Sequence, residues 1–442
     1  MQKKLAALAV ATAFGTPALA VAQTSTVQIF GTMYVEYSWA DQGRNATTAA
    51  PFTTGVDRSD ADFVQTPGSE IGFKGEEKLG GGLSAWFQCT STADPRGVSQ
   101  EGWCSRNSAL GLKGGFGNVF VGNWDAPFKR TISPGQVGAN DTGIWGSAFL
   151  LAGGSTTTAW PGAAAGSAAS AGRAIFKRRQ NSSINYDSPN FGGFQVMAMF
   201  TASQPSTGTL DPANNSHPRI LSLGGQYRAG PIYVGAGYER HKDANGPTGV
   251  PVAAGTVREG SDDGWHVAAA YTWGPVRFGA AYTRQEVEVG TVAAPAEVKY
   301  RGWHLGVDWR IVGPHGLRAA YTRAQDSRQS GVLAGGANLV GSAGTTVFGV
   351  SPTLPGGAAQ LGASGVTRPI ALPGGSGDNG AKLWQIRYVY TFSKRTEFNF
   401  GYVRLDNDSA GVYNLGGLTG GYGALRPGEN QDAFAASVRH RF

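Results

Sequence analysis

The sequence predicts an all-β protein, a transmembrane antiparallel β-barrel of about 16 strands with long external loops. Three observations predict it. The stretch Gln431–Phe442 alternates apolar Phe434, Ala436, Val438 and Phe442 with small or cationic Ala435, Ser437, Arg439 and Arg441, and it ends on an aromatic residue. A strand with grease on one face and arginines on the other needs lipid on one side and water on the other. The same two-sided alternation recurs along the chain, while no segment after the amino terminus is apolar for the roughly 18 residues of a spanning helix. Composition agrees: Gly at 68 of 442 and aromatics at 11% suit many turns, and charged residues at 15% fall below the usual quarter for soluble domains. A mean hydropathy of −0.21 does not oppose this, because only alternate residues of a barrel strand meet lipid.

The amino terminus fixes the compartment. MQKKLAALAVATAFGTPALAVAQ sets Lys3 and Lys4 before an apolar run from Leu5, then a small-x-small site at Ala20-Val21-Ala22. This reads as a secretory signal peptide over residues 1–22, cut between Ala22 and Gln23, with cleavage after Ala20 the close alternative. Residues 23–442 then form one barrel domain. The net charge of +7 falls to +5 once Lys3 and Lys4 leave (35 basic against 30 acidic residues). With no long Lys/Arg run, nucleic acid is not an expected partner, and the excess is better placed to bias traffic through a pore. Cys89 and Cys104 flank a loop between two strands of an exported chain. A disulfide is expected, with two free thiols the alternative.

The strands follow in order. In the first, Val27, Ile29, Met33, Val35, Tyr37 and Trp39 form one face, with Gln28, Thr32, Glu36 and Ser38 opposite and Phe30 and Tyr34 among them. A hairpin sets Ile71 and Phe73 against Glu70 and Lys74, turns at EEKLGGG, and returns through Leu83, Ala85 and Phe87. The next spans Arg106 to Trp124 with its turn at KGGFGN. Paired runs then occupy 177–188 with 191–202, 219–228 with 232–240, 265–273 with 276–286, 299–311 with 317–324, and 383–392 with 396–405. AGP, GP, GPHG and SKR are tight turns, expected on the periplasmic side. Long links, expected outside, run 40–67, 90–104, 125–176, 203–217, 241–263, 287–297, 325–381 and 406–430. Connections of that length are either external or folded into the barrel.

EIGFKGEEKLGGGLSAWFQ, SALGLKGGFGNVFVGN, INYDSPNFGGFQ, YTFSKRTEFNFGY and the final SVRHRF resemble the general porins of beta-proteobacteria, and the likeness spans the mature chain with its loops diverged. SPNFGGF, FSKRT and RHRF together are fairly specific. The resemblance implies a sixteen-stranded homotrimer in the outer membrane, in contact with lipid and lipopolysaccharide. It also implies passive diffusion of ions and small hydrophilic solutes, a third loop folded into the lumen as the constriction, and a terminal Phe442 read by the barrel-assembly machinery. Periodicity supports the barrel independently but says nothing about the trimer.

The constriction candidate is the link from Asp125 to Phe176, whose Trp145, Phe149, Leu150 and Trp160 gain by packing on the inner wall or, alternatively, on a neighbouring subunit or another loop. Fixed charge near the narrowest point sets selectivity. The link carries acids Asp125 and Asp141 and bases Lys129, Arg130 and Arg173, followed by Lys177, Arg178 and Arg179. Strand parity sends Lys74, Lys113, Arg179 and Arg387 inward and leaves Arg106 ambiguous; Arg228, Arg277, Arg310, Arg318, Arg439 and Arg441 are further inward candidates. A cationic lumen prefers anions. Two departures from the family moderate this: Glu70 stands where relatives carry arginine, and Gly122-Asn123 where they read Gly-Arg.

Other constellations carry less. Asp57, Asp60 and Asp62 are a weak divalent-cation candidate, more readily a solvated acidic loop. The six histidines lack metal-ligand spacing, and His440 falls on the lipid face. KGGFG lacks the strand-to-helix context of a phosphate loop. Trp39, Trp273, Trp309, Tyr388 and Tyr402 suit aromatic girdles. The expected function is a non-enzymatic diffusion channel without a cofactor. The alternative is a surface receptor, adhesin or substrate-selective channel using its long loops.

Overall fold

A computed structural model describes residues 26–41, 44–46, 55–57, 60–97, 102–140, 142–146, 157–158, 176–201, 219–242, 261–290, 295–326, 328–330, 378, 380–409, 413, 415 and 428–442. Ala22 and Gln23, and the loop residues Asp141, Phe149, Leu150, Trp160 and Arg173, lie outside the described residues.

Sixteen strands make the barrel. They are β1 Thr26–Asp41, β2 Glu70–Gly80, β3 Leu83–Thr92, β4 Ser108–Gly114, β5 Gly117–Asp125, β6 Arg179–Asp187, β7 Phe194–Thr201 and β8 Arg219–Ala229. They continue as β9 Ile232–Lys242, β10 Ser261–Trp273, β11 Val276–Gly290, β12 Pro295–Val312, β13 His315–Ala324, β14 Ala381–Thr391, β15 Thr396–Asn407 and β16 Gln431–Arg441. Each pairs antiparallel with its sequence neighbour, and β16 returns to β1 with Arg441 opposite Thr32 and Asp432 opposite Asp41. Closure leaves no strand edge within the barrel, the condition for a sheet in hydrocarbon.

The predicted faces are the observed ones. On β1, Val35, Tyr37 and Trp39 are exposed on the outside while Tyr34, Glu36, Ser38 and Ala40 are buried on the inside. On β16, Phe434 and Val438 are each 46% exposed, against 0% for Ala433 and 2% for Ala435. The strands run further than the apolar alternation does. β11 reaches Gly290 and β12 starts at Pro295, so the link expected over 287–297 shrinks to 291–294. Main-chain pairing continues above the lipid, where the side chains no longer need to be apolar.

Two local devices complete the wall. β1 pairs with β2 over Thr26–Thr32 but with the short strand Ala61–Gln65 over Glu36–Ala40. The break between them is filled by Ser69, whose hydroxyl accepts from Tyr34 N and donates to Tyr34 O, both at 2.9 Å, so the buried main chain keeps its partners. At the other end, Phe442 extends the seam: its N donates to Gly31 O at 3.1 Å and its O accepts from Gly31 N at 3.2 Å.

Cys89 and Cys104 are bonded, with their Cα atoms 4.7 Å apart. Cys89 stands opposite Phe73 on the outer face, so the link between β3 and β4 is tied to the outside of the wall. The anticipated girdle residues Trp39, Trp273 and Trp309 lie on that face, 44%, 69% and 41% exposed.

Candidate functional site

The third long connection, from β5 to β6, turns into the barrel. Pro127 presets the first turn of helix α1 (Pro127–Ile132), and the buried Phe128, Thr131 and Ile132 of that helix pack against β8 and β9. A 3-10 turn, Ser133–Gly135, carries the chain on across β10 and β11.

The wall is cut back to receive it. A Cβ on Gly306 would stand 1.7 Å from Val137 O, one on Gly279 2.4 Å from Val137 Cγ2, and one on Gly264 2.5 Å from the Phe176 ring. Glycine inside a strand gives up packing, and here it admits another main chain. Polar groups of the wall then hold the loop. Tyr233 Oη donates to Thr131 O at 2.6 Å, His304 Nε2 to Val137 O at 2.9 Å, and Arg277 Nη2 to Pro134 O at 3.2 Å. Arg387 Nη2 donates to Asn140 Oδ1 at 2.9 Å and to Gly138 O at 3.3 Å, while Ile144 N donates to Glu36 Oε1 at 2.9 Å. Phe128, Ile132, Ile144, Trp145 and Phe176 are fully buried. Each contributes about 1.5–3 kcal/mol against the entropy of ordering the loop.

The charges sort into two groups. Lys177, Arg179 and Arg387, expected as pore-lining cations, are buried instead. Lys177 bonds Gln136, Arg179 meets Asn107 at 2.7 Å and Asp125 at 3.2 Å, and Arg387 lies under the loop, 5.2 Å from the Trp145 ring. They are anchors, because the loop and its carboxylate cover them. Asp125, expected as a pore acid, is enclosed by Lys129 at 2.9 Å and by Arg179. Arg130 grips Asp187 with two bonds of 2.8 and 2.6 Å.

The second group faces open lumen. Arg106, ambiguous by parity, is 2.7 Å from Glu70, so the acid that departs from the family is neutralised locally. Lys113 meets Glu76 at 2.7 Å. Arg318 lies between Asp308 at 2.9 Å and Glu397 at 3.2 Å, and Arg439 also reaches Glu397. Lys74 stands over the Phe30 ring and Arg228 over the Tyr233 ring. Among the described residues, neither they nor Arg277 has a carboxylate at ion-pair distance.

Of the weak cation candidate Asp57, Asp60 and Asp62, the Asp57 side chain lies outside the described residues. The grouped carboxylates among the described residues are Asp326, Asp378 and Asp408, and Arg323 and Lys382 already offset Asp408. Tyr233, His304 and His266, whose Nε2 lies 3.0 Å from Thr131 Oγ1, seat the loop without being marked by sequence alone. The signal lay in inward-parity glycines such as Gly235, Gly237, Gly279 and Gly306, which have no turn to serve.

A closed sheet with a lipid-facing exterior and a loop lodged inside defines a membrane barrel with a restricted lumen. A family model described as Gram-negative porin matches residues 6–410, and the chain belongs to that family. It is similar to the major outer membrane protein P.IB of Neisseria meningitidis serogroup B, 32% identical over 54% of this chain and 60% of that protein. The same protein of Neisseria gonorrhoeae is 30% identical over 54% and 55%. The chain thus spans a little over half the length of these curated relatives. Among solved structures, an anion-selective porin from Comamonas acidovorans superposes with a TM-score of 0.61 at 19% identity, covering 95% of this chain and all of that one. The trimer form of Vibrio cholerae OmpT gives 0.55 at 14%, covering 95% and 100%. At such identities these likenesses speak for the fold.

Proposed function

We propose that the chain is a passive outer-membrane diffusion channel for ions and small hydrophilic solutes, with a modest preference for anions. The observation that carries this is the charge balance of the lumen. Of the inward carboxylates, Glu70, Glu76, Asp125, Asp187, Asp308 and Glu397 each have a cation partner and Glu36 is buried against the loop at Ile144 N, while Lys74, Arg228 and Arg277 have no carboxylate at ion-pair distance among the described residues. Unbalanced positive charge in a narrow, poorly hydrated passage raises the local concentration of anions. The anion-selective Comamonas neighbour agrees with this reading. No cofactor or energy input enters the mechanism.

The working unit is a homotrimer, by analogy with the trimer form of the Vibrio protein, and the barrel-assembly machinery reads the last strand ending at Phe442. Residues 1–22 are the signal that precedes the mature chain.

The test is the reversal potential of purified protein in planar bilayers across a KCl gradient. A reversal potential on the anion side supports the proposal. A cation-side value removes the charge assignment, and an electrically silent bilayer removes the channel.

A further inference from the structure

We propose that the connection between β15 and β16 is a second constriction. It seals the inner wall of β13–β16 and β1 and confines water to the rest of the lumen. The inside of a barrel that holds water is ordinarily polar. The inward row Ser222, Glu239, Gly264 and Gln285, running across β8–β11, has that character. On β13–β1 the register builds an apolar wall instead.

Three inward rows lie side by side toward the extracellular end of those strands. The uppermost is Ala324, Ala381 and Asn407. Below it run Thr322, Leu383, Leu405 and Gln431, and then Gln385, Val403, Ala433 and Ala40. The aliphatic members of these rows are at most 2% exposed. On the inner wall of an open pore they would meet water, so they are covered, and two connections cover them. Ile144 and Trp145 of the third loop and Tyr413 and Leu415 of the last connection join them in one buried apolar cluster, with Phe63 packed against it.

The wall itself holds the last connection in place. Asn407 Nδ2 donates to Tyr413 O at 2.9 Å and to Glu429 O at 2.7 Å, and Asn407 Oδ1 accepts from Tyr413 N at 2.9 Å. Gln431 Oε1 accepts from Leu415 N at 2.8 Å, and Asn430 Oδ1 accepts from Asn407 N at 2.9 Å. Asn407 and Gln431 both belong to the inward rows, so amides of the wall supply the partners that the buried main chain at Tyr413 and Leu415 requires. Asn407, Tyr413 and Leu415 are positioning residues for the passage: they set which side of the lumen a solute can use.

The inference rests on the channel reading for its effect on current, but not for its effect on labelling. The test introduces Ala433→Cys into the full-length protein in liposomes and follows its reaction with a charged, water-soluble methanethiosulfonate. The native cysteines are bonded to each other and do not react. Lys74→Cys, at an exposed inward position, is the reference. Ala433→Cys should react at least about a hundredfold more slowly than the reference, and adding Asn407→Ala should speed it by about tenfold. Asn407→Ala alone should raise the single-channel conductance and admit larger sugars. Equal rates for Ala433→Cys and Lys74→Cys would mean an open wall and overturn the proposal, even if the Asn407 variant failed to fold. No acceleration by Asn407→Ala, or acceleration at unchanged conductance, would also overturn it. Silence of wild type and variant alike would strike the channel reading and leave the labelling rates to decide on the seal.

Discussion

Replacing Gly306 with valine tests the seat of the third loop more sharply than any charge change. Valine favours a strand, so β12 itself should tolerate it. Its Cβ, however, would stand 1.7 Å from Val137 O, and that atom is main chain that cannot rotate away. Restoring an ordinary separation of about 3.5 Å moves the carbonyl by roughly 2 Å. The bond from His304 Nε2, now 2.9 Å, breaks, and two buried polar groups lose each other. Leaving such groups unmade costs about 1–3 kcal/mol, which multiplies the population of a lifted loop by about 5- to 150-fold. Single-channel recording should show a higher and noisier open current, while the detergent melting of the barrel stays close to wild type. Gly225→Ala is the control, since its Cβ meets nothing nearer than 4.0 Å. A variant with the conductance and noise of wild type would refute the idea that Val137 rests on β12.

Other perturbations follow from the same contacts. Glu70→Arg removes the partner of Arg106, 2.7 Å away, and adds a second cation beside it; the reversal potential should move further to the anion side, and an unmoved value would mean that this wall lies off the ion path. Reducing Cys89–Cys104, separated by 15 residues, should cost the tied link about 3 kcal/mol on chain-entropy grounds, seen as faster proteolysis within 93–105 with unchanged conductance. Arg96 hydrogen-bonds Asp94 and holds its carboxyl down at about 2, and it also donates to Val64 O at 3.0 Å. A lowered value means that this tie is fully present above the ordinary 3.8 and fades as pH falls through about 2. Pepsin should therefore spare the link at pH 3 to 4 and cut it near pH 2, whereas equal cutting at all three would deny the tie a role.

Strand positions were legible because lipid and water impose a period of two. Trp39 and Phe434 on one side, and Ser38 and Ala435 on the other, announce their faces without neighbours. The seat of the third loop was not, because it is a relation between distant segments. Nothing local in His304 or Gly306 names Val137, more than 160 positions away. Charges were half legible: parity sent Arg387 inward, but only the path of the loop shows that it is covered. Glu70 looked like a lone acid until register and the approach to β4 brought Arg106 beside it.

Liposome swelling asks whether water and solute cross the lumen past the lodged loop. Liposomes containing the purified protein should swell quickly in small sugars and progressively more slowly as the solute grows. Swelling no faster than protein-free liposomes, or a rate indifferent to solute size, would contradict a water-filled barrel narrowed from within.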